Sequence, residues 1–100
     1  MSDYFDRSGN PQSFQEWAKG LGRDMTKKRV AETTLPNGRW VSTVWLGLNH
    51  AFGDGPPLIF ETMVFTSREE LQEEDCDRYS TEDEAVAGHA RMVEKWATEA

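Results

Sequence analysis

The chain is short of several residue types, and each shortage excludes something. Among 100 residues there is one cysteine, Cys76, so no internal disulfide can form. That fits a reducing cytoplasm, although one cysteine excludes no compartment. There are two histidines, His50 and His89, and neither an HxxxH nor a CxxC spacing. A metal centre would need His50, His89 and Asp54 or Glu61 to converge from distant parts of the chain, so no metal or other cofactor is expected. No apolar run approaches the ~18 residues of a membrane span, and the polar, acidic start Met-Ser-Asp-Tyr-Phe-Asp-Arg-Ser is unlike a secretory leader. Basic residues never gather beyond Lys27-Lys28-Arg29. A nucleic-acid binder needs a basic face to displace phosphate counterions, so neither nucleic acid nor membrane is an expected partner.

What is present is acid, and it is local. The formal net charge is −7. Residues 68–84 hold nine acids, from Glu69 to Glu84, against Arg68 and Arg78, which accounts for all of it. Such a stretch reads as a solvated charged segment that aids solubility, and it also suits a basic protein partner. Four Trp and five Phe supply large side chains for one modest core.

The elements follow from local chemistry. Residues 1–11 read as a flexible, weakly ordered arm, and 12–100 as a single domain. Ser13-Phe14-Gln15-Glu16 is a capping box, and Phe14, Trp17, Ala18 and Leu21 share a helical face that Gly20 and Gly22 end. Arg29 to Leu35 reads as a strand, Pro36-Asn37-Gly38 as a hairpin turn, and Arg39 to Leu48 as the returning strand. Leu58 to Phe65 is a third strand, and Cys76 to Tyr79 a short fourth. Thr81-Glu82-Asp83-Glu84 is a second capping box, with acids in the first turn favoured by the helix dipole. The helix it opens runs to about Thr98, with Ala85, Val86, His89, Ala90, Met92, Val93, Trp96 and Ala97 on one face. Gly88 in its middle points to close packing on the sheet. The fold class is α+β: an antiparallel meander of three or four strands, the C-terminal helix across one face, and a short N-terminal helix.

Strands two and three carry apolar side chains on both faces. Leu58, Phe60, Thr62 and Val64 oppose Ile59, Glu61, Met63 and Phe65, and Trp40, Val44, Leu46 and Leu48 oppose Val41, Thr43 and Trp45. A sheet with one wet face alternates more cleanly. Both faces are therefore expected to be covered, one by the C-terminal helix and the other by a second subunit, giving a homodimer.

The nine-residue connection Asn49 to Pro57 is longer than most hairpin loops. It offers Asn49, His50, Phe52 and Asp54 as candidate partner contacts, with Trp45 and Glu61 on the adjoining strands. The same residues can serve structure alone, with Phe52 packed over the sheet edge. Glu61, a carboxylate among apolar neighbours, suits either an acid/base group or a structural ion pair with Arg39 or a loop histidine. His89 on the apolar helix face reads as a hydrogen-bonded core histidine. Cys76 lies among acids, which raise a thiol pKa and oppose a nucleophilic role.

The strings STVWLGLNHAFGDGPPLIFETMVF, residues 42–65, and RYSTEDEAVAGHA, residues 78–90, resemble a family of small uncharacterised proteins encoded by bacteriophages and prophages, notably those of actinobacteria. The first 35 residues stand outside the shared pattern. No activity is assigned to the family, so the resemblance implies context and no functional residues: a protein made inside an infected bacterium. Together these readings favour a non-enzymatic protein that binds a host or phage protein in the cytoplasm and inhibits a host system. A virion or assembly component, a small-molecule or acid/base site at His50, Asp54 and Glu61, and a DNA mimic built on the acidic segment stay open beside it.

Overall fold

The computed structural model describes residues 3–21, 28–49 and 55–97. Its elements run α1 (Phe14–Leu21), β1 (Arg29–Thr34), β2 (Trp40–Trp45), β3 (Phe60–Phe65), β4 (Glu73–Tyr79) and α2 (Glu82–Ala97). The four strands form one antiparallel meander in the order β1-β2-β3-β4, with α2 packed across one face. The fold is α+β.

Both helix starts are made by the expected caps. The Ser13 Oγ accepts from the Glu16 N–H at 3.1 Å, and the Glu16 carboxylate takes the Ser13 N–H at 3.3 Å. Thr81 and Glu84 repeat the exchange at 3.1 Å in each direction. The first hairpin closes as Leu35 N–H donates to the Arg39 carbonyl at 2.8 Å. Gly38 takes the positive φ, +92°, that this three-residue turn requires.

Alternation sorts the sheet into two faces. Val41, Thr43, Trp45, Phe60, Thr62 and Val64 are buried on the α2 side. Their core has two apolar clusters. One joins Trp45, Ile59, Phe60, Tyr79 and Ala85; the other joins Leu35, Val41, Val64 and Met92. Between them lies a polar belt. The His89 Nδ1 meets the Thr43 hydroxyl at 2.7 Å, and its Nε2 meets the Thr33 hydroxyl at 2.9 Å. The Thr43 and Thr62 hydroxyls, on paired residues of β2 and β3, lie 2.5 Å apart. His89 is thus the hydrogen-bonded core histidine its helix position implies.

The contact stripe of α2 is narrower than the sequence suggests. Ala85, Gly88, His89 and Met92 are buried, whereas Val86 is 53% exposed and Ala90 and Ala97 are exposed as well. The helix is turned toward Gly88, because Tyr79 lies directly beneath it: a Cβ there would stand 2.2 Å from the Tyr79 Cζ and hydroxyl oxygen.

Three expected boundaries move by two residues or more. β2 ends at Trp45 rather than Leu48, since Gly47 adopts φ +73° and breaks the strand. β3 begins at Phe60, two residues late, and β4 begins at Glu73, three early. Residues 4–12, expected as an arm, form a small hairpin. Asp6 Oδ1 caps a turn by accepting from the Ser8 and Asn10 N–H groups, and Gln12 N–H reaches the Tyr4 carbonyl. The hairpin pairs with 47–49 through Phe5 N–H to the Gly47 carbonyl and Asn49 N–H to the Asp3 carbonyl. The Trp17 indole N–H donates to the Leu46 carbonyl at 3.0 Å, and α1 seats its Trp17 ring against the bare Cα of Gly47. No helix among the described residues is long and apolar enough to cross a membrane.

Two outcomes follow. Helix propensity alone makes Gly88→Ala stabilising by ~1 kcal/mol, but overpacking against Tyr79 costs about 1–3 kcal/mol. Equilibrium urea unfolding will therefore show a net loss. Burial pushes the His89 imidazole below its ordinary pKa of 6.5. The unfolded chain then binds a proton at that site that the folded chain refuses. Stability falls as pH drops below about 6.5 and stops falling, for this group, at the lower folded pKa. Melting between pH 7.5 and 5 will show the drop, and His89→Gln will flatten it.

Candidate functional site

The face of the sheet turned away from α2 carries the site. Register places Arg29, Val44, Glu61 and Arg78 in one row across the four strands, and Glu32, Ser42, Met63 and Cys76 in the next. Trp40 and Phe65 follow as a pair, their rings stacked with centroids 5.5 Å apart. Ser42 is the small member of this set, flanked on its own strand by Trp40 and Val44 and opposite Met63. A small side chain ringed by large ones leaves a hollow. The result is a depression of about 250 Å³ lined by Arg29, Trp40, Ser42, Val44, Glu61, Met63, Phe65 and Leu71.

Charged groups are arranged around it. The Glu32 carboxylate holds two guanidiniums, that of Arg29 by a short contact and that of Arg68 at 3.0 Å. Both lie against the Trp40 ring, at 5.3 and 5.0 Å from its centroid. Such cation–π contacts contribute roughly 0.5–1 kcal/mol each at exposed sites. Slight desolvation pushes the Glu32 carboxyl up, but Arg29 and Arg68 outweigh it and hold it below the usual range. The Arg68 contact ties the β3–β4 connection to this face.

Glu61 is 8% exposed, and Arg78, its cross-strand neighbour, donates Nε–H to Oε2 at 3.0 Å. Its ion-pair partner is thus Arg78 and not Arg39, which binds Glu74 at 2.8 Å. Arg39 lies against Trp96, the side chain beneath α2, so it is on the wrong side of the sheet for Glu61. The Cys76 thiol also reaches Glu61 Oε2, at 3.6 Å. Burial first, then the Glu61 charge, push that thiol up to about 11.

The other sequence candidates fall elsewhere. Trp45 is 6% exposed in the core, on the opposite face from Glu61. Alternation from Val41 puts it there. Asn49 is a tie: its Oδ1 accepts the Leu58 N–H at 3.0 Å and closes the base of the long loop. His50, Phe52 and Asp54 lie outside the described residues. His89 and Glu61 are separated by the sheet, and no group of three His, Cys, Asp or Glu side chains is placed to hold a metal among the described residues.

The acidic segment is only partly a loop: Glu69 and Glu70 lie in the β3–β4 connection, Glu73 to Asp77 belong to β4, an edge strand, and Glu82 to Glu84 open α2. Asp75 is held below the usual carboxyl range by a hydrogen bond from Lys95, which with the Trp96 indole N–H and the Cys76 N–H overcomes partial desolvation.

Arg29, Trp40, Ser42, Met63, Phe65 and Leu71 were not singled out by sequence as site residues. The signal for Ser42 was present in Trp-Val-Ser-Thr-Val, where one small residue interrupts an apolar face.

Comparison with family models, with curated proteins and with solved structures gives no match.

A thiol with a pKa near 11 is almost wholly protonated at pH 8, against roughly a quarter ionised for free cysteine. Iodoacetamide will label native Cys76 at least about tenfold more slowly than the urea-unfolded chain at pH 8, since the lost ionisation is partly offset by the greater nucleophilicity of a more basic thiolate. Equal rates would show that Cys76 escapes its Glu61 environment.

Proposed function

We propose that this chain is a non-enzymatic interaction protein that docks another protein chain on the helix-free face of its sheet. The observation that carries the reading is the depression over Ser42, apolar in its walls and open to solvent beside the exposed Leu71. At about 250 Å³ it lies below the ~300–1,000 Å³ of sites that enclose drug-sized molecules. It suits an inserted side chain better than a cofactor. The carboxylates around it are committed to guanidiniums, Glu61 to Arg78 and Glu32 to Arg29 and Arg68. Such pairs hold a surface in shape, whereas acid/base chemistry needs a group left poised. The apolar floor with a charged rim is the usual anatomy of a protein interface.

The resemblance to phage-encoded proteins supplies the context. The partner is a host or phage protein met in the cytoplasm of an infected bacterium, and occupying a host protein in this way would inhibit it.

The test is capture by tagged full-length chain from bacteria that also express an untagged copy, read by mass spectrometry. Leu71→Asp and Met63→Asp each place a charge at the depression. Each will abolish capture while circular dichroism shows the fold retained. A captured protein that survives both substitutions, in folded variants, defeats the assignment of this face.

A further inference from the structure

We infer that the depression over Ser42 seats the β3–β4 connection of a second copy of this chain, with Leu71 as its apolar anchor. The inference rests on the helix-free face being a docking surface and names the occupant. Three independent features converge on it.

The first is backbone strain. Leu71 has φ +54°, a left-handed conformation that costs an L-residue roughly 1–2 kcal/mol. The turn itself is made by the backbone, with Leu71 N–H donating to the Ser67 carbonyl and Thr66 N–H to the Gln72 carbonyl. Glycine would hold the same turn without strain. The leucine side chain is instead left 53% exposed. Strain that holds an apolar side chain in water points to a contact made elsewhere.

The second is self-complementarity. Leu71 forms one lip of the depression, so an apolar knob and an apolar hole stand side by side on one face. A two-fold contact requires this, since the same patch on each subunit must supply both halves.

The third is charge. On this face Arg29, Arg68 and Arg78 stand among Glu32, Glu61 and, opposite Phe65 on β4, Glu73, so both signs of charge are presented together. The knob is preceded by two exposed acids, Glu69 and Glu70. A two-fold brings the acids of each copy to the arginines of the other. The β4 edge offers no rival route: its Glu73-Glu74-Asp75-Cys76-Asp77 run would meet itself, and charged edge strands resist pairing.

Sedimentation velocity of the full chain across the micromolar range tests this. The wild type will dimerise. Leu71→Gly, which keeps the turn and removes the knob, will raise the dimer Kd at least about tenfold with thermal stability held or improved. Ser42→Phe, which fills the hole, will do the same. A Glu69→Lys/Glu70→Lys copy and an Arg68→Glu copy will each associate weakly alone and will pair when mixed. A wild-type dimer indifferent to Leu71→Gly overturns the inference. So does a monomer that still captures a different protein through Leu71, which leaves the docking face standing. A monomer that captures nothing overturns both.

Discussion

The arrangement depends on one buried polar contact, the His89 imidazole held between the hydroxyls of Thr33 and Thr43. Three hydroxyls and a ring would be costly to bury unpaired, about 1–3 kcal/mol for each orphaned group. Paired, they form a belt across β1, β2, β3 and α2 that divides two apolar clusters. Apolar surface is tolerant of sliding, but a hydrogen-bonded belt is not. A slide of α2 by one turn, ~5.4 Å, would carry His89 most of the way from Thr43 toward Val41 or Trp45. The belt therefore fixes the register of the helix, and the register puts Gly88 where the Tyr79 ring needs room.

Fixing α2 on one face determines what the other face can be. The chain spends its one long helix on the Val41–Thr43–Trp45 side, and α1 is engaged at the end of the sheet by Trp17, Leu46 and Gly47. Among the described residues, the Trp40–Ser42–Val44 side is left to side chains alone. It closes part of its own surface with the Arg29–Glu32–Arg68 cluster over Trp40. The hollow at Ser42 is what this cluster does not reach. The acids of β4 act on the same problem from the edge. They satisfy Arg39, Lys95 and the Trp96 indole on the helix side, through Glu74 and Asp75, and they leave an edge that repels its own kind. A surface local in charge and open on one face is thereby biased toward contact by that face.

Much of the fold was legible because it is encoded locally. Capping boxes at Ser13 and Thr81, the glycine turn at Gly38 and the alternation of Trp40–Trp45 and Phe60–Phe65 each depend on a few adjacent residues. The misreadings share a different character. The hairpin of residues 4–12 is held by pairing with 47–49, forty residues away, although Asp6 and Gly9 do mark its turn. β4 is so acidic that only its end, Cys76 to Tyr79, reads as strand; Glu73 to Asp75 take their strand character from the β3 ladder beside them. A structural ion pair of Glu61 was expected with Arg39 or a loop histidine, and only register shows that Arg78 is the residue opposite. Of the candidate contacts among the described residues, Trp45 and Asn49 are occupied in holding the fold, and Glu61 lies at the depression.

Where local rules are broken, the breaks coincide. A serine sits at the centre of a buried apolar strand face, and a leucine holds a glycine conformation in water. Either alone would be a small defect, costing a kcal/mol or two. Sequences that fold well agree with themselves at every level, and the exceptions gather where function intervenes. Here the two exceptions line the same depression, one as its floor and the other as its lip. Filling the floor or relaxing the lip should each make a more stable isolated subunit. That both remain unfilled and unrelaxed is the physical reason to regard this face as made for contact rather than for the stability of a single copy.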